Sequence, residues 1–527
     1  MAGQYLVSGY LKCILSSVAL TLLLASCSTS QKEKEKATNP IIWADVPDMS
    51  MIRVDDIYYM SSTTMHMNPG VPIMKSTDLV NWKLVSYAYD TLVSNDAMNL
   101  ENGEKTYGRG SWASSLRFHE GTYYVSTFSA TSGMTHIYTT KDIENGLWKE
   151  HSFSPSLHDN SLIFEDGRVY MIWGAGEIRI VELEEDLSGM KPGTEQILIE
   201  NATAPSGDNI MLPAEGSQMF KAKGEYYLFN ISWPRDGMRT VIIHRSDSLL
   251  GDYEGRVALQ DRGIAQGGLI DTPEGDWYAY LFRDFRSVGR IPYLAPMTWE
   301  DGWPVIGIDG VIPDTLDLPA SRGLIPGIVD SDDFTRLEGD EALPLVWQWN
   351  HNPIDEFWSV TERPGYLRIT NDRADDSFLS TRNTLTQRTI GPESSGIIKI
   401  DVSNMKNGDI AGLGALQANY GYIAVKMEND SRSIVMAKGT PEEGEEIMQE
   451  VQLDQNTIYL KSHLDFRDWN DTGTFHYSLN GEEWKPLGSE IKMSYTLPHF
   501  MGYRFALFNY ASEIAGGYVD FDFFKIE

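Results

Sequence analysis

The chain has 527 residues, which excludes one ordinary domain and suits two domains behind an export segment. Aromatics make up 11% of it, with 26 Tyr, 14 Trp and 46 Gly, a mix that favours short strands and tight turns over long helices. A formal net charge of −32 excludes a nucleic-acid partner, whose phosphates need a basic face, and leaves a neutral polysaccharide open.

The chain begins with a targeting pattern. Lys12 gives a weak positive start, Ile14 to Leu24 is an apolar run too short for a comfortable membrane span, and Leu24-Ala25-Ser26-Cys27 resembles a bacterial lipobox. Residues 1–26 therefore read as a lipoprotein signal peptide with Cys27 as the lipid attachment site; an ordinary signal peptide cut nearby is the alternative. The expected product is exported, held to the outer membrane only by its lipid, and faces the periplasm rather than the cell surface. Cys13 is the other cysteine and lies in the removed piece, so the mature chain has no thiol for a disulfide, a metal or catalysis. Residues 27–38, polar and rich in Lys and Glu, read as a flexible tether.

From residue 39 to 319 a repeat organises the chain. Five turns, each followed by an aromatic pair, start at Asp55, Glu120, Asp166, Lys223 and Glu274, spaced 65, 46, 57 and 51 residues apart. Such turns between apolar runs are hairpin signals, and the spacing suits one four-stranded blade per copy. The pattern predicts a five-bladed β-propeller. Upstream of each turn, equivalent positions hold Asp48, Trp112, Asp159, Glu215 and Gln266, which precede the final aromatic by 11, 12, 11, 12 and 12 residues. In a propeller the inner strands line one channel, so these five positions form a ring. A single Asp before a strand is commonly a turn or cap residue. Three carboxyls converging on one cavity are costly unless they bind a cation, share protons or do chemistry. Glycoside hydrolysis needs two such groups across the bond, one protonated and one ionised, and a third can raise the pKa of the acid.

Ser321 to Gly327 reads as a linker. Residues 328–527 alternate strand patterns with turns, which predicts a C-terminal β-sandwich; the fold class is all-β, a propeller followed by a sandwich. Trp347, Trp349 and Trp358 read as core rather than as a sugar platform. Asp332, Asp333 and Asp522 offer oxygen ligands for a structural calcium, against their use as ordinary acids.

Asn39-Pro40-Ile41-Ile42 with Pro47-Asp48-Met49-Ser50, Trp112-Ala113, Asp159-Asn160-Ser161, Glu215-Gly216 and Gly289-Arg290 together resemble family 43 glycoside hydrolases. The run from Trp43 to Trp82 resembles the members rich in α-L-arabinofuranosidases and β-xylosidases. The resemblance implies an inverting, exo-acting enzyme in which Asp48 is the general base, Glu215 the general acid and Asp159 the residue that tunes and orients that acid. It implies that Arg290 contacts sugar hydroxyls and that Trp112 walls the terminal subsite. Inversion would set the base and acid about 6.5–9.5 Å apart.

Departures from the family pattern bear on the pocket. Many members carry His where this chain has Gln266, a neutral and weaker calcium partner, so no metal is expected for the chemistry. Met65 stands where many xylosidases have Phe, and reads as a remodelled wall. His66 reads as a pocket-rim candidate against plain loop exposure. Asp45 should face away from the ring, while Glu101 and Glu104 should be solvated. The expected activity is removal of terminal α-L-arabinofuranosyl residues from hemicellulose oligosaccharides, of arabinoxylan or xyloglucan. An exo-β-xylosidase or dual enzyme is the alternative, and a non-catalytic glycan-binding lipoprotein is the remote one.

Overall fold

The computed structural model describes residues 35–323, 325–337 and 342–527. The expected signal peptide, most of the tether and Cys27 lie outside the described residues.

The turns behave as their composition requires. At Glu120-Gly121, Asp166-Gly167 and Lys223-Gly224 both residues take positive φ, the conformation that joins two twisted antiparallel strands through a two-residue loop. Each hairpin seeds one four-stranded antiparallel sheet, and five such sheets follow in chain order. Their inner strands are Ser50–Val54, Ser115–His119, Ser161–Glu165, Ile210–Ala222 and Ala265–Asp271. Each inner strand touches the next, and the fifth returns to the first, so the blades close into a propeller.

The closure is made by residues just before the first blade. Lys36–Thr38, assigned above to the tether, form a strand paired with Thr315–Pro319 after the fifth blade. The Asn39 side chain donates to the carbonyls of Leu294 and Pro313 and accepts from the amide of Leu294. Ile41 and Val46 then donate to Pro292 and Arg290, running the segment along blade five and delivering Asp48 beside Arg290.

The second half is a sandwich of two eight-stranded sheets. One ends on Met67–Asn68, a strand lent by blade one, which pairs with Gln348–Asn350. The expected linker is exposed at 321–323 and packed at its end: a Cβ at Gly327 would meet the carbonyl of Trp82 at 2.1 Å, and Ile328 and Val329, which follow it, are fully buried. Trp347 and Trp349 are buried, as expected of core residues. The expected calcium set does not converge, because Asp332 is bound by Arg336 and the Trp347 indole, and Asp522 by Lys399.

Candidate active site

Asp48, Asp159 and Gln266 all take positive φ, near 50°, the first two just before their inner strands and Gln266 at the bulge within its own. Non-glycine residues rarely adopt this conformation, and it breaks the ordinary alternation of side chains. In blade four the left-handed residue is instead Gly216, next to Glu215. The sequence spacing has a structural cause here. Extra residues sit as bulges between Glu215 and Gln218 and between Ala265 and Gly267, which accounts for 12-residue rather than 11-residue intervals in blades four and five.

Asp48 and Asp159 are only 7% and 6% exposed. Arg290 Nη1 donates to both carboxylate oxygens of Asp48, each at 2.8 Å. Burial pushes the Asp48 carboxyl above its ordinary range, against the pull of Arg290. Asp45 lies outside any strand and accepts from the backbone amides of Arg290 and of Gly502 in the sandwich. Its packing explains Gly289, where an added Cβ would lie 2.3 Å from Asp45 Oδ1.

Asp159 Oδ2 accepts from the amide of Gly216 at 2.8 Å, which ties it to the backbone beside Glu215. Burial also pushes Asp159 up, reinforced by the charges of Glu215 and Asp48 and opposed by His158. The Gln266 side chain lies over Gly216, where a Cβ would meet Gln266 Cδ at 2.8 Å.

Three residues at or beneath the ring escaped the sequence reading. His158 Nε2 lies 3.0 Å from Glu215 Oε2 and 3.6 Å from Asp159 Oδ2. Burial pulls this imidazole down, yet the charges of Asp159, Glu215 and Asp48 prevail and raise it to about 9. Its one sequence signal was adjacency to Asp159. Phe500, from the sandwich, stacks on Trp112 with centroids 5.2 Å apart and carries the Arg290 guanidinium 4.7 Å over its ring. No local signal marks it. Arg117 lies one layer below the ring and spans three blades: Nη1 donates to Ser50 Oγ, Nη2 to Ser161 Oγ and Gln218 Oε1, and Nε to the carbonyl of Leu162.

Met65 is buried in the apolar group that contains Trp112 and Phe500, so it stands behind this wall. His66 is not at a rim or in an exposed loop. It is fully buried, its Nε2 3.1 Å from Asn350 Oδ1 and its ring beside His351, His499 and Tyr107. The reason is Met67–Asn68, whose pairing draws His66 into the sandwich. Glu101 is half-buried in an ion pair with Arg382, whereas Glu104 is exposed.

His158, Asp159 and Glu215 are the described residues whose ligand atoms could converge on a metal, all lying within 4.8 Å of one another. The imidazole already supplies a cation there. The axis beneath fits a metal poorly, because the Arg117 guanidinium takes the Ser50, Ser161 and Gln218 oxygens and Gln266 adds only a neutral amide. Arg290 Nε and Nη2 and Trp112 Nε1 are buried without a hydrogen-bond acceptor among the described residues, an arrangement suited to ligand hydroxyls. Paired carboxyls in different environments, an arginine and an aromatic wall form a site for acid–base cleavage of a glycosidic bond.

Fold and site thus define a propeller glycoside hydrolase. The family model "Glycosyl hydrolases family 43" matches residues 37–304, and "Beta xylosidase C-terminal Concanavalin A-like domain" matches residues 331–527. A putative beta-xylosidase of Xylanibacter ruminicola is 30% identical, over 85% of this chain and 82% of its own. The non-reducing end alpha-L-arabinofuranosidase BoGH43B of Bacteroides ovatus is 29% identical, over 74% of this chain and 76% of its own. The solved structure of a bifunctional GH43-CE protein of Bacteroides eggerthii superposes with a TM-score of 0.93 at 61% identity, covering 94% of this chain; this chain spans 64% of that one. The chain belongs to glycoside hydrolase family 43.

Proposed function

We propose that the chain is an exo-acting, inverting hydrolase that releases terminal α-L-arabinofuranosyl residues from hemicellulose oligosaccharides. The observation that carries this reading is the pairing of two differently held carboxyl groups, the buried Asp48 on Arg290 and the more open Glu215 beside Asp159 and His158. Glu215 protonates the departing oxygen while Asp48 takes a proton from the attacking water, and Asp159, tied to the Gly216 amide, tunes and orients the acid. A catalytic carboxylate only 7% exposed suits a chain end better than an internal residue, and Phe500 closes one side. Trp112 and Arg290 hold the terminal sugar through stacking and hydroxyl contacts.

A β-xylosidase is the second reading, favoured by the name of the Xylanibacter relative and by the family description of the sandwich. Purified protein assayed on aryl α-L-arabinofuranosides and aryl β-D-xylosides separates the two. Arabinose release is expected to dominate; dominant xylose release overturns the first reading. Proton NMR of the first-formed sugar should show the inverted anomer. The chain is further proposed to be lipid-anchored through Cys27, which requires labelled fatty acid to enter the protein and Cys27→Ala to abolish that entry.

A further inference from the structure

We infer that His158 and Glu215 act as a proton-sharing pair, with His158 holding the leaving-group proton in the resting enzyme and passing it through Glu215. The inference rests on the assignment of Glu215 as the acid and deepens it.

Geometry carries the argument. His158 Nε2 and Glu215 Oε2 are 3.0 Å apart, so the carboxyl oxygen facing the imidazole already shares a hydrogen bond. The imidazole is edge-on to Phe128 at 5.2 Å, and its own carbonyl accepts from the amide of Gly174, which fixes ring and backbone. Its side chain is 38% exposed against 21% for Glu215, so it is the more open terminus of the pair. The charged groups facing it are Asp159, Glu215 and Asp48, the last of which is paired with Arg290. Burial pulls the imidazole down, but these carboxylates raise it to about 9.

The proton balance closes. The proton on Nε2 crosses to Glu215 Oε2 and then to the glycosidic oxygen as the bond from that oxygen to the anomeric carbon breaks. The leaving group departs as a neutral alcohol. Water oxygen bonds to the anomeric carbon and gives one proton to Asp48. His158 then regains a proton from solvent and Asp48 releases one. His158 is thus a positioning residue that acts through Glu215.

The test is the pH dependence of kcat/KM for His158→Gln, whose amide can hydrogen-bond but cannot hold the proton. If the pair shares a proton, the basic limb falls by about one pH unit or more toward the carboxyl range. At pH 7 an unactivated oligosaccharide loses on the order of 10–100-fold, and a dinitrophenyl glycoside, which needs little protonation, loses less. A basic limb that stays or rises overturns the inference, because an imidazolium that only stabilises the Glu215 carboxylate would depress the acid. A second measurement needs no catalysis: ¹⁵N-imidazole titration of His158 in the Glu215→Gln protein. Its midpoint should fall relative to wild type, and an unchanged midpoint overturns the pair. Were Glu215→Gln itself to retain full activity on unactivated substrates, the acid assignment would fail first, independently of His158.

Discussion

The propeller centre and its junction with the sandwich use the same side chain in opposite ways. At the centre, three carboxylates surround His158 and raise it to about 9. At the junction, His66, His351 and His499 crowd together with Tyr107, almost wholly excluded from solvent, and burial lowers His351 and His499 to about 3. Neighbours decide the charge, not residue type. The first region is held by charge compensation, the second by keeping its groups neutral.

The largest way to break this contrast is to remove a charge at the centre. Asp48→Asn and Glu215→Gln should each lower kcat on the order of 10²–10⁴-fold, measured with purified protein of unchanged unfolding midpoint. A dinitrophenyl glycoside should be hurt less by losing Glu215 than by losing Asp48. Next is Arg117→Met. It removes the guanidinium's bonds to the Ser50, Ser161 and Gln218 oxygens and to the carbonyls of Leu116, Leu162 and Met219 beneath the ring, and denaturant unfolding should show a loss of about 2–4 kcal/mol.

The junction should show itself in acid. Its histidines sit below their ordinary value of 6.5, so between pH 6.5 and about 3 the unfolded chain binds protons that the folded chain refuses. Their stabilising effect is present above pH 6.5 and is lost as pH falls, with a slope of up to about 1.4 kcal/mol per pH unit for each histidine. His499→Phe should flatten the fall of unfolding midpoint between pH 7 and 5. The smallest expected effect is at Phe500, where Phe500→Ala removes the stack on Trp112 at a cost of about 1 kcal/mol, read as a several-fold rise in KM.

Blade number and ring positions were legible because a propeller writes each unit locally, as turn, aromatic pair and inner strand. Even the alternation of 11 and 12 residues carried information, since the longer intervals in blades four and five are bulges beside Glu215 and Gln266. What escaped depends on long-range pairing. His66 reads as a loop residue until Met67–Asn68 is seen to pair with a strand from the other domain. Phe500 reaches Trp112 from the sandwich with no motif of its own. His158 escaped for a local reason: strand alternation turns it away from Asp159, but the left-handed φ at Asp159 brings both to the centre.

The strand lent by blade one has a consequence for synthesis. Met67–Asn68 leaves the ribosome long before its receiving strand, and Asn68 donates to Asn352, 284 positions later. Until that later stretch is translated, blade one carries an open edge and His66 lacks the cover of Asn350, His351 and His499. A fragment ending near residue 319 would therefore be a propeller with a permanently exposed seam, prone to association through that edge. Transplanting the sandwich onto another propeller would need the Met67–Asn68 segment to travel with it.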